Sequence, residues 1–172
     1  MDSKNLMWAL GLVLLAAVSR FLPHPQNFTP VMAVALFASA VITPRFLGIA
    51  VALVAMLVSD IFLGWHRTMP FVYGAMLLVG LLGFFLREKR SVLKIVFASL
   101  TGSMLFFLIT NLGVFLTEAM YPKTAEGLLQ CYTMAIPFFR NSLTGDMLYT
   151  LSFFGIFALA TRSSKRAVLH RG

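Results

Sequence analysis

The chain has 172 residues, of which 59% are hydrophobic and only 12% charged. A soluble domain runs at about 45–50% apolar and about 25% charged, so no water-solvated globule can be built from it, and an all-α integral membrane protein is expected. The net charge of +8 invites a nucleic-acid reading, but the positions of the charges point elsewhere.

In chain order, six apolar segments cover Leu6–Leu22, Phe28–Thr43, Phe46–Leu63, Met69–Leu86, Val92–Leu116 and Leu143–Ala160. Crossing the hydrocarbon takes about 20 residues, and the second segment is the shortest. Thr43-Pro44-Arg45 breaks the run between segments two and three, predicting a tight helical hairpin. The first segment runs into Arg20 and a proline-rich stretch without a small-x-small cleavage pattern, so it reads as a retained helix rather than a signal peptide. The runs are continuous, without the alternation of a β-barrel. Between segments five and six, Ala125, Leu128, Leu129, Tyr132 and Ile136 repeat at i, i+3, i+4. They predict a short surface helix over about 124–136 that lies across the mouth of the bundle.

Six crossings put both termini on one side. That side carries Lys4, Arg45, Arg87, Lys89, Arg90, Lys94, Arg162, Lys165, Arg166 and Arg171, which is 10 of the 14 Lys and Arg. Cytoplasmic loops accumulate such residues, so both termini are expected in the cytoplasm, with the basic runs against anionic headgroups. No nucleic-acid partner is expected.

The opposite, outer side holds three polar connections: "SRFLPHPQNFTP", "SDIFLGWHRTMP" and "TEAMYPKTAEGLLQCYTMAIPFFRNSLTGD". Ionisable residues beside membrane spans are costly and face a partner or a cavity. Arg20 with Asp60, and Arg140 with Asp146, read either as ion pairs stapling helix ends or as charges lining a pocket; both can hold together. Asn111 reads as a bond to a neighbouring helix or as a ligand contact. Trp65, Tyr73, Tyr121 and Tyr132 read as interfacial aromatics or as stacking surfaces. His24, His66, Asn27 and Asn141 complete the candidate site. His24 and His66 with Asp60 match no metalloprotease spacing. No Gly-rich phosphate loop precedes a helix, so neither a metal, a cofactor nor an enzymatic activity is expected. Cys131 is the single cysteine; it excludes an intrachain disulfide and reads as a small packed residue.

The stretches "RFLPHPQNFTPVMAVALF", "SDIFLGWH", "TNLGVFL", "YPKTAEGLLQCYTMAIPFFRN" and "GDMLY" together resemble an uncharacterised bacterial membrane family. That family is related to the substrate-binding S components of energy-coupling factor (ECF) transporters. The resemblance implies a six-transmembrane-helix bundle in the bacterial inner membrane, multi-pass, with a ligand held near the outer face. It also implies a separate coupling membrane subunit with ATPases. S components commonly dock through Ala-x-x-x-Ala in the first helix, and "LMWALGLVLLAAVS" lacks that pattern. The expected function is binding a small nutrient, a vitamin or related micronutrient, for uptake. The expected substrate contacts are Arg20, His24, Asn27, Asp60, Trp65, His66, Asn111, Tyr121, Tyr132, Arg140, Asn141 and Asp146. The alternative is a small accessory subunit of a larger membrane complex.

Overall fold

In the computed structural model the described residues, 3–169 for the backbone and 5–161 for side chains, form six helices and no strand. The helices are α1 (Ser3–Ser19), α2 (Val31–Val41), α3 (Arg45–Leu63), α4 (Met69–Phe84), α5 (Val92–Thr117) and α6 (Ala125–Leu169). Arg45–Leu63, Val92–Thr117 and Ala125–Thr161 are long and apolar enough to cross a membrane, while Asn5–Ser19, Val31–Val41 and Met69–Phe84 are shorter apolar helices. Large apolar side chains such as Leu10, Leu14, Leu93 and Phe97 are exposed along the helices. Patches of that extent are not left facing water. The protein is a membrane protein. Lys4, Arg162, Lys165, Arg166 and Arg171, which entered the charge count, lie outside the residues whose side chains are described.

Local chemistry sets the helix ends. Pro70 occupies the first turn of α4, where its missing N–H costs nothing. Ser91 caps α5 by accepting from the Lys94 N–H, and Thr124 caps α6 by accepting from the Gly127 N–H. Gly64 closes α3 at φ +97°, donating its N–H to Asp60 O at 2.9 Å. A side-chain-bearing residue rarely takes that backbone angle.

Helix α2 is the hub. Residues 31–40 are all buried, and α2 packs against each of the other five helices. Small residues make this possible. A Cβ on Gly48 of α3 would sit 2.6 Å from Ala38 O, and one on Gly83 of α4 would sit 2.6 Å from Leu36 O. On the α6 side, the Phe37 ring meets Phe153, Phe154 and Phe157 at 5.8, 5.2 and 5.8 Å between centroids. The carbonyls at the end of α2 are held by arginines of the α4–α5 connection. Arg87 donates to Ser39 O at 2.6 Å and Ile42 O at 2.9 Å, and Arg90 donates to Ala40 O at 2.8 Å. These carbonyls have no partner inside the helix, and the cations also meet the negative end of its dipole. Burial, with the nearby Arg45 and Arg90 charges in the case of Arg87, pushes both guanidiniums below their ordinary value. Arginine starts so high that both stay charged at neutral pH.

Two expectations are corrected. The second segment was expected over 28–43, yet α2 has 11 residues. Pro30 stands at its N-cap and biases Thr29 away from helix. The separate surface helix over 124–136 and the sixth span over 143–160 are one 45-residue helix that runs through Pro137. A proline inside a helix removes one backbone hydrogen bond, and the turns on either side of it here stay helical.

Candidate functional site

The connections 20–30, 64–68 and 118–124 meet at one end of the bundle, and each contributes to one or both of two adjoining cavities beneath them. The larger, about 570 Å³, lies between α5 and α6 and reaches Gln26, Asn111, Tyr121 and Phe138. The smaller, about 340 Å³, lies over the first turn of α2 and reaches Arg20, His66, Met56 and Asp146. His24, Asn27, Val72, Phe106 and Ser142 line both.

The 20–30 segment is shaped by its own chemistry. Pro23, Pro25 and Pro30 fix φ near −65°. Phe28 N–H closes a turn on Pro25 O at 3.0 Å, and Asn27 takes φ +62°, a conformation that asparagine tolerates better than most residues. The segment is pinned at both ends by rings. Phe21 meets Phe62 edge-on at 6.2 Å, and Phe28 meets Tyr149 at 5.7 Å.

Arg20 and Asp60 form the expected pair. Arg20 Nη1 lies 2.6 Å from Asp60 Oδ1, 2.5 Å from Ser59 Oγ and 3.2 Å from Met56 O. Asp60 is 1% exposed, and its Oδ2 accepts from Tyr73 Oη at 2.8 Å. Tyr73 is thereby bound inside the bundle, away from the interfacial role it was open to. The second expected pair does not form. Arg140 is exposed, and Arg20–Asp60 is the one ion pair among the described residues. The continuity of α6 is the reason, because a spacing of six residues on a helix turns two side chains roughly 120° apart.

Asp146 is 5% exposed. Ser103 Oγ lies 2.8 Å from its Oδ2 and 3.1 Å from Ser99 O. The hydroxyl has one proton to give, and the shorter, charge-assisted contact takes it. Asp146 belongs to a buried polar stripe on α6, Ser142–Asp146–Thr150, at helical i, i+4 spacing. Ser99 and Ser103 of α5 are also buried, and Ser99 Oγ and Thr150 Oγ1 have no hydrogen-bond partner.

The structure brings Arg20, His24, Asn27, His66 and Asp146 to the smaller cavity and Asn111 and Tyr121 to the larger one, with Asp60 behind Arg20. Asn111 Nδ2 donates to Phe107 O at 2.8 Å, within its own helix rather than to a neighbour. Trp65 is 71% exposed and lines neither cavity. Tyr132 is a tie between helices, donating to Leu108 O at 2.7 Å. Arg140 and Asn141 also line neither cavity. Sequence reasoning missed Phe106, Ser142, Ser103 and the methionines 32, 56 and 76. The i, i+4 polar spacing within apolar helices was a signal for the two serines only; nothing singled out Phe106 or the methionines. Cys131 is buried, with Sγ 3.5 Å from Asn111 O. Among the described residues no three His, Cys, Asp or Glu side chains gather closely enough to hold a metal ion.

These features define a helical membrane protein with paired cavities, mostly apolar but carrying a few polar groups, at one end of its bundle. The chain belongs to the DUF6580 family, a family of unknown function, whose profile matches residues 2–168. No curated protein and no solved structure matches it.

Proposed function

We propose that the protein binds a small nutrient, a vitamin or related micronutrient, for uptake across the bacterial inner membrane, in the manner of an ECF S component. The observation that carries this reading is the pair of adjoining cavities, about 570 and 340 Å³, under the connections 20–30, 64–68 and 118–124. Small-molecule sites commonly enclose roughly 300–1,000 Å³, with apolar walls and a few placed polar groups. In this reading the chain passes the membrane six times, the short α2 together with the segments that flank it, and both termini are cytoplasmic, so the cavities open outward. The charge asymmetry of the connections supports that orientation. The proline-braced 20–30 segment is a preorganised wall, which lowers the ordering cost of capture. A separate coupling subunit with ATPases then reorients the loaded bundle.

The test is purification of the full chain in mild detergent, followed by mass spectrometry of what it carries. A stoichiometric small molecule is expected in the wild type. It should be absent from a monodisperse Ser142→Phe variant, in which the ring fills the junction of the two cavities. Recovery of the chain in a stable complex with non-ATPase membrane proteins, and without a small molecule, would instead identify an accessory subunit.

A further inference from the structure

The ionisable groups on the wall of the smaller cavity are not all paired. Arg20 contributes a positive charge, but Asp60 lies 2.6 Å from it, so that pair sums to zero. The two histidines are each held by a neighbour, His24 Nδ1 at 2.9 Å from Pro25 O and His66 Nδ1 at 2.7 Å from Thr68 Oγ1. Asp146 remains. It is 95% buried by its 5% exposure, it lines the cavity, and among the described residues no cation lies within ion-pair distance of it. One serine hydroxyl is its partner. The first turn of α2 lines the same space through Val31 and Met32. The positive end of that helix dipole favours an ionised carboxylate without supplying a full counter-charge. A charged group inside a membrane bundle is expensive and is kept where a pathway or ligand requires it.

We propose that this cavity takes a ligand carrying a positively charged nitrogen, an organic ammonium or a cationic heteroaromatic ring, with Asp146 as its counter-ion. The inference rests on the substrate-binding reading of the same site and names the class of ligand. Part of the remaining wall fits it. Met32, Met56, Met76 and Phe106 are soft and polarisable, surfaces that suit a large, weakly hydrated cation. A hard metal ion takes six or more oxygen ligands, and one carboxylate with the Asn27, Thr29 and Ser142 oxygens, beside the Arg20 cation, does not supply them. An anionic ligand would be driven against the Asp146 carboxylate.

Three probes of nearly equal shape separate charge from fit: choline, its neutral carbon analogue 3,3-dimethylbutan-1-ol, and the anion 3,3-dimethylbutanoate. Binding to the detergent-purified full chain is measured by calorimetry and thermal shift. Choline should bind at least tenfold more tightly than either analogue. Asp146→Asn should abolish that preference, and Glu126→Gln, an exposed acid outside both cavities, should leave it unchanged. If Asp146→Asn does not fold, the comparison of the three probes on the wild type still decides. Tighter binding of the neutral or anionic probe, or an unchanged choline affinity in a folded Asp146→Asn, would overturn the counter-ion role and leave the substrate site standing. No binding of any probe, together with no co-purifying molecule, would overturn both.

Discussion

Removal of the Arg20 guanidinium tests how the two polar clusters divide their work. In Arg20→Leu the Asp60 carboxylate, 1% exposed, keeps only the Tyr73 hydroxyl at 2.8 Å. Ser59 Oγ and Met56 O each lose the guanidinium as a donor, while the Ser59 hydroxyl still reaches Met56 O at 2.9 Å. Breaking a buried ion pair from one side costs about 3–5 kcal/mol, because it strands the other charge. The Arg20 side chain is 20% exposed, so water can follow into part of the vacated space, and the lower end, about 3 kcal/mol, is expected. Asp60→Asn should cost less, about 1–2 kcal/mol, since the partly exposed guanidinium keeps two other acceptors. Replacing both by leucine removes both desolvation penalties together and should return most of the loss.

The assay is reversible unfolding of the purified chain in detergent, followed by circular dichroism. A change of about 3 kcal/mol in a chain of this size corresponds to roughly 6–12 °C in Tm. The diagnostic quantity is the coupling energy of the double-mutant cycle, about 2 kcal/mol or more. An Arg20→Leu protein within about 1 kcal/mol of the wild type, or a double variant as unstable as the sum of the singles, would refute the staple. Arg20 would then be free to serve a ligand.

Gly48→Ala and Gly83→Ala should each cost about 1–3 kcal/mol, because the new methyl meets backbone at 2.6 Å. Gly74→Ala, with nothing within 4 Å, should be neutral or stabilise by about 0.5–1 kcal/mol; thermal unfolding of the three variants checks the order. Arg87→Ala strips two carbonyls at the end of α2 of their donor and should lower stability by about 1–3 kcal/mol, a loss that a parallel unfolding series measures. Single cysteines at positions 89 and 123, in a Cys131→Ser background, should react with a membrane-impermeant thiol reagent from opposite faces of sealed vesicles. Equal labelling from one face would remove the proposed topology.

Where the chain punctuates itself, the elements were legible. Ser91, Pro44 and Thr68-Met69-Pro70 mark starts that the structure keeps within a residue or so. Where an apolar residue serves a loop, they were not. Phe28 looks like helix, but its ring packs on Tyr149 and the helix waits for Pro30. The apolar repeat from Ala125 to Ile136 reads as a short surface helix, while the backbone carries the helix on through Pro137. That one misreading also produced the false Arg140–Asp146 pair. The end of the bundle holding the site was readable from the crowding of His24, Asn27 and His66 in two of the connections, with Asp60 just before one of them. Which of them turn inward was not, because facing depends on α2, whose length the sequence overstated.

The length of α2 in turn explains why there is a cavity at all. At about 1.5 Å per residue, its 11 residues rise roughly 16 Å, against roughly 39 Å for the 26 residues of α5. A hub that ends so early leaves the neighbouring helices standing around unfilled space at one end. At the other end the gap is closed by Arg87 and Arg90 reaching its last carbonyls. At the first turn no side chain plays that part. The chain above it is the proline-fixed 20–30 segment, exposed from 21 to 27, which roofs the space without filling it. The apolar hub and the polar cavity are therefore one feature: a helix stopped by Pro30 buries all of its length it can, and the volume it does not reach becomes the site.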